Sequence, residues 1–172
     1  MLAIARPHPG RDLTALLFVI GLAAIVAAWG FELIGGYVPC ELCLQQRTPY
    51  YVGLPLAFLA LIADAIGAPK WIVRSALLLV AIAFVYNSGL GVYQSGAQWG
   101  YWQGPTACSG NGSAIPTSVN DLLSSLDHAR VVSCTAVTWR FLGLSFAGWN
   151  AVVSGVVALL ALLATVVRPA RG

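Results

Sequence analysis

The chain has 172 residues, 59% of them hydrophobic and 9% charged, with a mean hydropathy of +0.81. A soluble domain carries roughly a quarter charged residues, so a water-soluble fold is excluded: a chain of this length cannot hide that much apolar surface. The formal net charge of +3 gives no reason to invoke nucleic acid as a partner; the lipid bilayer is the partner that the composition demands.

Four segments are long enough to cross a bilayer, for which about 20 apolar residues suffice. The first span, 13–32, is uncharged from Leu13 to Phe31 and ends at Glu32. Its apolar run exceeds the roughly 7–15 residues of a cleaved signal sequence, so it is expected to be retained. The second, 48–66, contains Pro49 and Pro55 and reaches full length only by including Asp64, which makes it the weakest of the four. The third, 71–91, begins at Trp71, passes Arg74 and is uncharged from Ser75 onward; the fourth, 148–167, is the cleanest. The pattern predicts an all-α membrane protein of one domain, a four-transmembrane-helix bundle.

Charge sets the orientation. Arg6, Arg11, Lys70, Arg74, Arg168 and Arg171 fall on one side with Asp12 and Asp64, whereas Arg47, Arg130 and Arg140 share the other with Glu32, Glu41, Asp121 and Asp127. Basic residues favour the cytoplasm, so both termini are expected there, with loops 33–47 and 92–147 extracytoplasmic. The longer loop is rich in turn residues, among them Gly104, Pro105, Gly110, Gly112 and Pro116. Within it Val119, Leu122, Leu123 and Leu126 recur at helical spacing after a Ser118–Asp121 variant of the capping box. That pattern predicts a short extracytoplasmic surface helix, lying on the membrane or packed on other parts of the loop. Trp99, Tyr101 and Trp102 follow the third span, where aromatic residues anchor helices at the interface; lining a flat aromatic ligand is the alternative. His8 reads as a solvated tail residue and His128 as a polar position on the surface helix.

All four cysteines fall in the two extracytoplasmic loops, Cys40 and Cys43 in the first, Cys108 and Cys134 in the second. Disulfides form and persist on that side. The Pro39-Cys40-Glu41-Leu42-Cys43 sequence brings two sulfurs close enough for a small-ring disulfide, and such pairs are often redox-active. It stands just before an expected helix start, where partial positive charge favours an anion. Arg47, four residues after Cys43, shares its helical face and would stabilise a thiolate or an anionic form of a bound electron acceptor. The wider spacing of Cys108 and Cys134 suits a disulfide closing a flexible loop, which would stabilise that loop by about 2–4 kcal/mol. A neighbouring Cys-x-x-Cys also permits thiol–disulfide exchange through a mixed disulfide. Four thiolates could instead bind zinc, although the second two lack the short spacing of a zinc knuckle. As an electron relay, the loop pair would take two electrons from a soluble protein thiol and pass them to the pair at the bilayer surface. A lipid-soluble quinone is the natural acceptor at that depth.

These residues resemble the disulfide bond formation protein B (DsbB) family of bacterial inner-membrane proteins. The resemblance is carried in order by Pro39 to Cys43 with Gln46-Arg47, by Gly91-Val92-Tyr93, by Gly104 to Cys108, and by Cys134. Trp139 to Ser145 and Gly148-Trp149-Asn150 complete it. It implies a thiol:quinone oxidoreductase that reoxidises a DsbA-like periplasmic thiol oxidant and passes the electrons to ubiquinone or menaquinone in the membrane quinone pool, with no metal. It implies that Cys108 forms the mixed disulfide with the partner, that Cys134 is its intramolecular partner, and that Cys40 exchanges with the loop pair. Cys43 would deliver electrons to the quinone, Arg47 would bind or polarise it, and Phe146 would lie nearby. Several relatives have His or Glu after the third span, where this chain has Gln94, Ser95 and Gln98, so the proton donor for quinone reduction is not assigned. Vitamin-K-epoxide-reductase-like proteins also exchange thiols with quinones, but their Cys-x-x-Cys follows the loop cysteines. A non-catalytic scaffold with two structural disulfides or a metal site is the alternative from another class; it would show potentials below about −300 mV or a bound metal.

Overall fold

The structure is a computed structural model that describes residues 9–104, 134 and 139–167. Among these, α1 (Pro9–Leu33), α2 (Glu41–Ala65), α3 (Lys70–Gln98) and α4 (Phe146–Val166) form the bundle. Each is apolar and long enough to cross a membrane: at 1.5 Å per residue even α4 extends about 31 Å, the thickness of the hydrocarbon layer. The chain is an all-α membrane bundle of four helices. Its least apolar helix is α2, with a hydropathy of 1.3 against 2.3 for α1. The expected surface helix at 119–126 lies outside the described residues.

The helices run beyond the sequence-predicted spans where caps define their ends. α2 starts at Glu41 because Cys40 is its N-cap, so the Cys-x-x-Cys pair belongs to the helix start. α3 continues to Gln98 and stops where Gly100 takes a φ of +79°, letting the Tyr101 N–H reach the Gly96 carbonyl at 3.0 Å. α2 ends the same way: Gly67 has a φ of +75°, and the Ala68 N–H bonds the Ala63 carbonyl at 2.8 Å. Both satisfy carbonyls that a helix end leaves unpaired. Pro49 and Pro55 lie inside α2, where packing against neighbouring helices makes helix-breaking residues tolerable.

α1 packs on α2 and α4, and α3 packs on α2 and α4, closing a four-helix ring. Its core is built on Leu17, Leu77, Val80, Phe84 and Val157, all fully buried. Small residues allow the close approaches that membrane helices need. A Cβ on Gly91 would lie 2.8 Å from the Ala151 nitrogen of α4, and one on Gly53 would meet the Phe84 ring at 2.7 Å. Leu16, Val19, Val26, Leu79, Ile82 and Leu159 face outward, as lipid-facing residues must.

A small hairpin precedes α4. β1 (Arg140–Phe141) pairs antiparallel with β2 (Leu144–Ser145) through Leu142 and Gly143, which both have positive φ, as a tight hairpin turn requires. Ser145 then caps α4, its hydroxyl accepting the Gly148 N–H at 3.3 Å. The hairpin thereby sets Trp139 and Phe146 over the same end of the bundle as Cys40, where α1 and α3 finish and α2 and α4 begin.

Candidate active site

The site is organised by the first turn of α2. Cys40 has extended backbone, φ −80° and ψ 171°, and its Sγ accepts the Cys43 N–H at 3.4 Å in the manner of a capping hydroxyl. Two residues of helix then return Cys43 to the same face, bringing its Sγ to 2.7 Å from that of Cys40. Both thiols are free, and small side-chain rotations separate them from the roughly 2.05 Å of a disulfide. The hydrogen bond with the Cys43 side chain, reinforced by burial, pushes the Cys40 thiol far above its ordinary value. Cys40 therefore stays protonated at neutral pH.

The sulfurs open onto a cavity of about 390 Å³, within the range of small-molecule sites. One wall is aromatic. Phe146 stacks on Trp139 at a centroid distance of 4.6 Å and meets Phe31 edge-on at 4.9 Å and Tyr37 at 5.6 Å. The other wall carries Cys43 and Arg47. Arg47, one turn after Cys43, is ion-paired to Glu32 of α1, and both side chains line the cavity. A guanidinium has five N–H donors, so this pairing leaves donors for a ligand carbonyl. Trp99, Tyr101 and Trp102 are exposed and do not line the cavity.

Behind the sulfurs is a polar cluster. Gln94 of α3, 1% exposed, directs its Nε2 to Cys40 Sγ at 3.3 Å and Cys43 Sγ at 3.6 Å, distances that suit a large acceptor atom. Gln46 donates to Gln94 at 2.6 Å, and Asn150 of α4 donates to Gln46 at 2.7 Å.

Of the sequence-predicted site residues, the structure brings together Cys40, Cys43, Arg47 and Cys134, while Cys108 lies outside the described residues. Cys134 is disulfide-bonded, buried to 1% exposure, and packed in one cluster with Cys40 and Leu42. Its backbone carbonyl accepts from Gln98 Nε2 at 3.4 Å. Sequence reasoning missed Glu32 as the partner of Arg47, Phe31, Tyr37 and Trp139 as cavity walls, and the Gln46–Gln94–Asn150 cluster. The available signal was the presence of amides inside otherwise apolar spans, since buried polar groups in a membrane are expensive and mark function.

A polytopic bundle that holds an adjacent dithiol at the mouth of an aromatic cavity, with a further disulfide cysteine packed against it, defines a membrane-embedded thiol–disulfide oxidoreductase. The chain belongs to the DsbB family, whose model, described as disulfide bond formation protein DsbB, matches residues 10–164. It is 30% identical over 175 residues to the disulfide bond formation protein B of Acidovorax sp. (strain JS42), covering 94% of this chain and 90% of that one. It is 31% identical over 163 residues to that of Azoarcus sp. (strain BH72), covering 92% and 94%. No solved structure matches. Family membership makes the chain a disulfide-forming oxidoreductase of a multi-pass membrane protein family.

Proposed function

We propose that this protein reoxidises a soluble DsbA-like dithiol in the periplasm and passes the electrons to ubiquinone or menaquinone in the bacterial inner membrane. The observation that carries this reading is the contiguity of Cys134, Cys40, Cys43 and the aromatic cavity. The distribution of basic residues supports an orientation with loops 33–47 and 92–147 periplasmic and both termini cytoplasmic.

In this scheme the partner's thiolate attacks Cys108 of a Cys108–Cys134 disulfide, forming a mixed disulfide and releasing Cys134. The partner's second thiol attacks its own sulfur in that bridge, so the partner leaves oxidised and the loop pair is reduced. Cys134 then attacks Cys40 of a Cys40–Cys43 disulfide, and Cys43 leaves as a thiolate. Attack of Cys108 on Cys134 re-forms the loop disulfide and leaves Cys40 and Cys43 reduced. Each exchange breaks one S–S bond and forms another, so two electrons and two protons arrive at the Cys40–Cys43 pair.

A quinone ring accepts two electrons and two protons, which balances oxidation of that pair back to the disulfide. The residues present fit such a ring: Phe146 and Trp139 offer flat apolar faces, Arg47 a donor toward a carbonyl oxygen, and Cys43 a sulfur on the same cavity wall. In this low-dielectric setting a fixed cation is worth more than in water. The test is to supply purified protein with reduced partner and a quinone and follow both: one quinone should be consumed per partner disulfide formed. A folded preparation that oxidises no partner overturns the reading. A Cys134→Ala variant should accumulate a mixed disulfide through Cys108, which identifies the partner.

A further inference from the structure

We propose that Gln94 is a positioning residue that sets the redox poise of the Cys40–Cys43 pair, aimed at the two sulfurs by a one-directional string of buried and part-buried hydrogen bonds from the bundle core. The inference rests on reading Cys40 and Cys43 as a dithiol–disulfide couple.

The direction of the string follows from the donor inventory. Tyr50 has a single hydroxyl proton, which it donates to Asn150 Oδ1 at 2.9 Å. Asn150 is then committed to donate through Nδ2 to Gln46 Oε1 at 2.7 Å, and Gln46 through Nε2 to Gln94 Oε1 at 2.6 Å. With its oxygen engaged, Gln94 turns its NH₂ group toward both sulfurs. At the inner end Asn87 donates to Ser154 Oγ at 2.9 Å, and Ser154 lies 3.2 Å from the Tyr50 hydroxyl, to which it supplies its own proton. Every link runs the same way. Asn87, Ser154, Tyr50, Gln46 and Gln94 are all 5% exposed or less.

Amides buried in a membrane bundle cost stability unless bonded, and three of these helices contribute to one unbranched path that ends on sulfur. Aligned hydrogen bonds polarise one another, so the last N–H is a stronger donor than an isolated amide. A thiolate or thiol accepts that donor far better than a disulfide sulfur does. The string thus stabilises the reduced pair over the oxidised one. A couple whose reduced form is stabilised is the stronger oxidant, which is the bias needed for Cys40–Cys43 to draw electrons from the reduced loop pair.

The test uses the full chain in detergent micelles, equilibrated in glutathione buffers of graded ratio, with the Cys40–Cys43 state read by alkylation and site-resolved mass spectrometry. The reaction is disulfide plus two glutathione thiols giving two protein thiols plus oxidised glutathione. Gln94→Met removes the donor at similar length. Gln46→Glu leaves Gln94 in place but offers it only acceptors, turning its carbonyl toward the sulfurs. Each substitution is expected to shift the equilibrium toward the protein disulfide by roughly tenfold, equivalent to about 30 mV for a two-electron couple. A merely structural role would lower thermal stability and leave that equilibrium where it was. If the wild-type pair titrates and both variants match it within about twofold, the proposal is overturned and the redox reading stands. If the wild-type pair forms no disulfide at any ratio, both fall. Should Gln94→Met not fold, Gln46→Glu decides alone.

Discussion

Arg47 of α2 and Glu32 of α1 are ion-paired beside the cavity that Cys43 also lines, so the cation at that cavity among the described residues is already engaged by a carboxylate. In the proposed reaction a quinone carbonyl would share Arg47 with Glu32. Substitutions at the two positions should therefore act in opposite directions. Arg47→Gln removes the charge and should raise the KM for quinone roughly tenfold, the worth of one charge-assisted hydrogen bond. Glu32→Gln releases the guanidinium and should lower that KM a few-fold. Steady-state kinetics with a water-soluble quinone analogue, at saturating reduced partner, distinguishes these outcomes; equal KM changes of the same sign would refute the competition.

Cys40 and Cys43 differ in reactivity although they touch. The raised pKa of Cys40, caused first by its hydrogen bond with the Cys43 side chain and then by burial, means that it remains a neutral thiol at pH 7 and gains thiolate only as pH rises. The thiolate is the nucleophile, and Cys40 is 5% exposed whereas Cys43 is half-buried. Iodoacetamide should therefore modify Cys43 first in the reduced protein at pH 7, with Cys40 still lagging at pH 9, where an ordinary thiol already reacts fast. Peptide mapping after timed alkylation checks the order, and faster labelling of Cys40 at pH 7 would contradict it.

Removing one sulfur should split the proposed reaction into its halves. Cys43→Ala leaves no partner to close a disulfide with Cys40, so quinone reduction should fall to background. The loop pair should still oxidise one equivalent of reduced partner. A single-turnover burst without continued turnover is the expected trace.

Packing offers a test independent of chemistry. A side chain at Gly91 meets the Ala151 nitrogen and the Ala147 carbonyl at 2.8 and 2.9 Å, both backbone atoms of α4 that cannot turn aside. Gly91→Val should destabilise the bundle by at least about 1–3 kcal/mol, the usual cost of overpacking. Gly30 has nothing within 4 Å of the corresponding position, and Gly30→Ala should be neutral or stabilising by up to about 1 kcal/mol. Denaturation in mixed micelles compares the two.

Hydropathy alone determined that this chain is a membrane bundle, because the bilayer imposes a length and a polarity on each helix that can be read one segment at a time. The Cys-x-x-Cys chemistry was legible for a similar reason: Cys40, Cys43 and Arg47 are joined by the local geometry of one helix start. Tertiary structure alone decided which distant residues share the site. Glu32 meets Arg47, Phe31 meets Trp139 and Phe146, and Gln94 meets both sulfurs only through the rotation and axial register of packed helices. Those are set by small-residue contacts such as Gly91 against α4, which hydrophobic pattern does not encode. Apolar faces tell a helix that it must pack in the membrane; shape tells it against what, and at which turn.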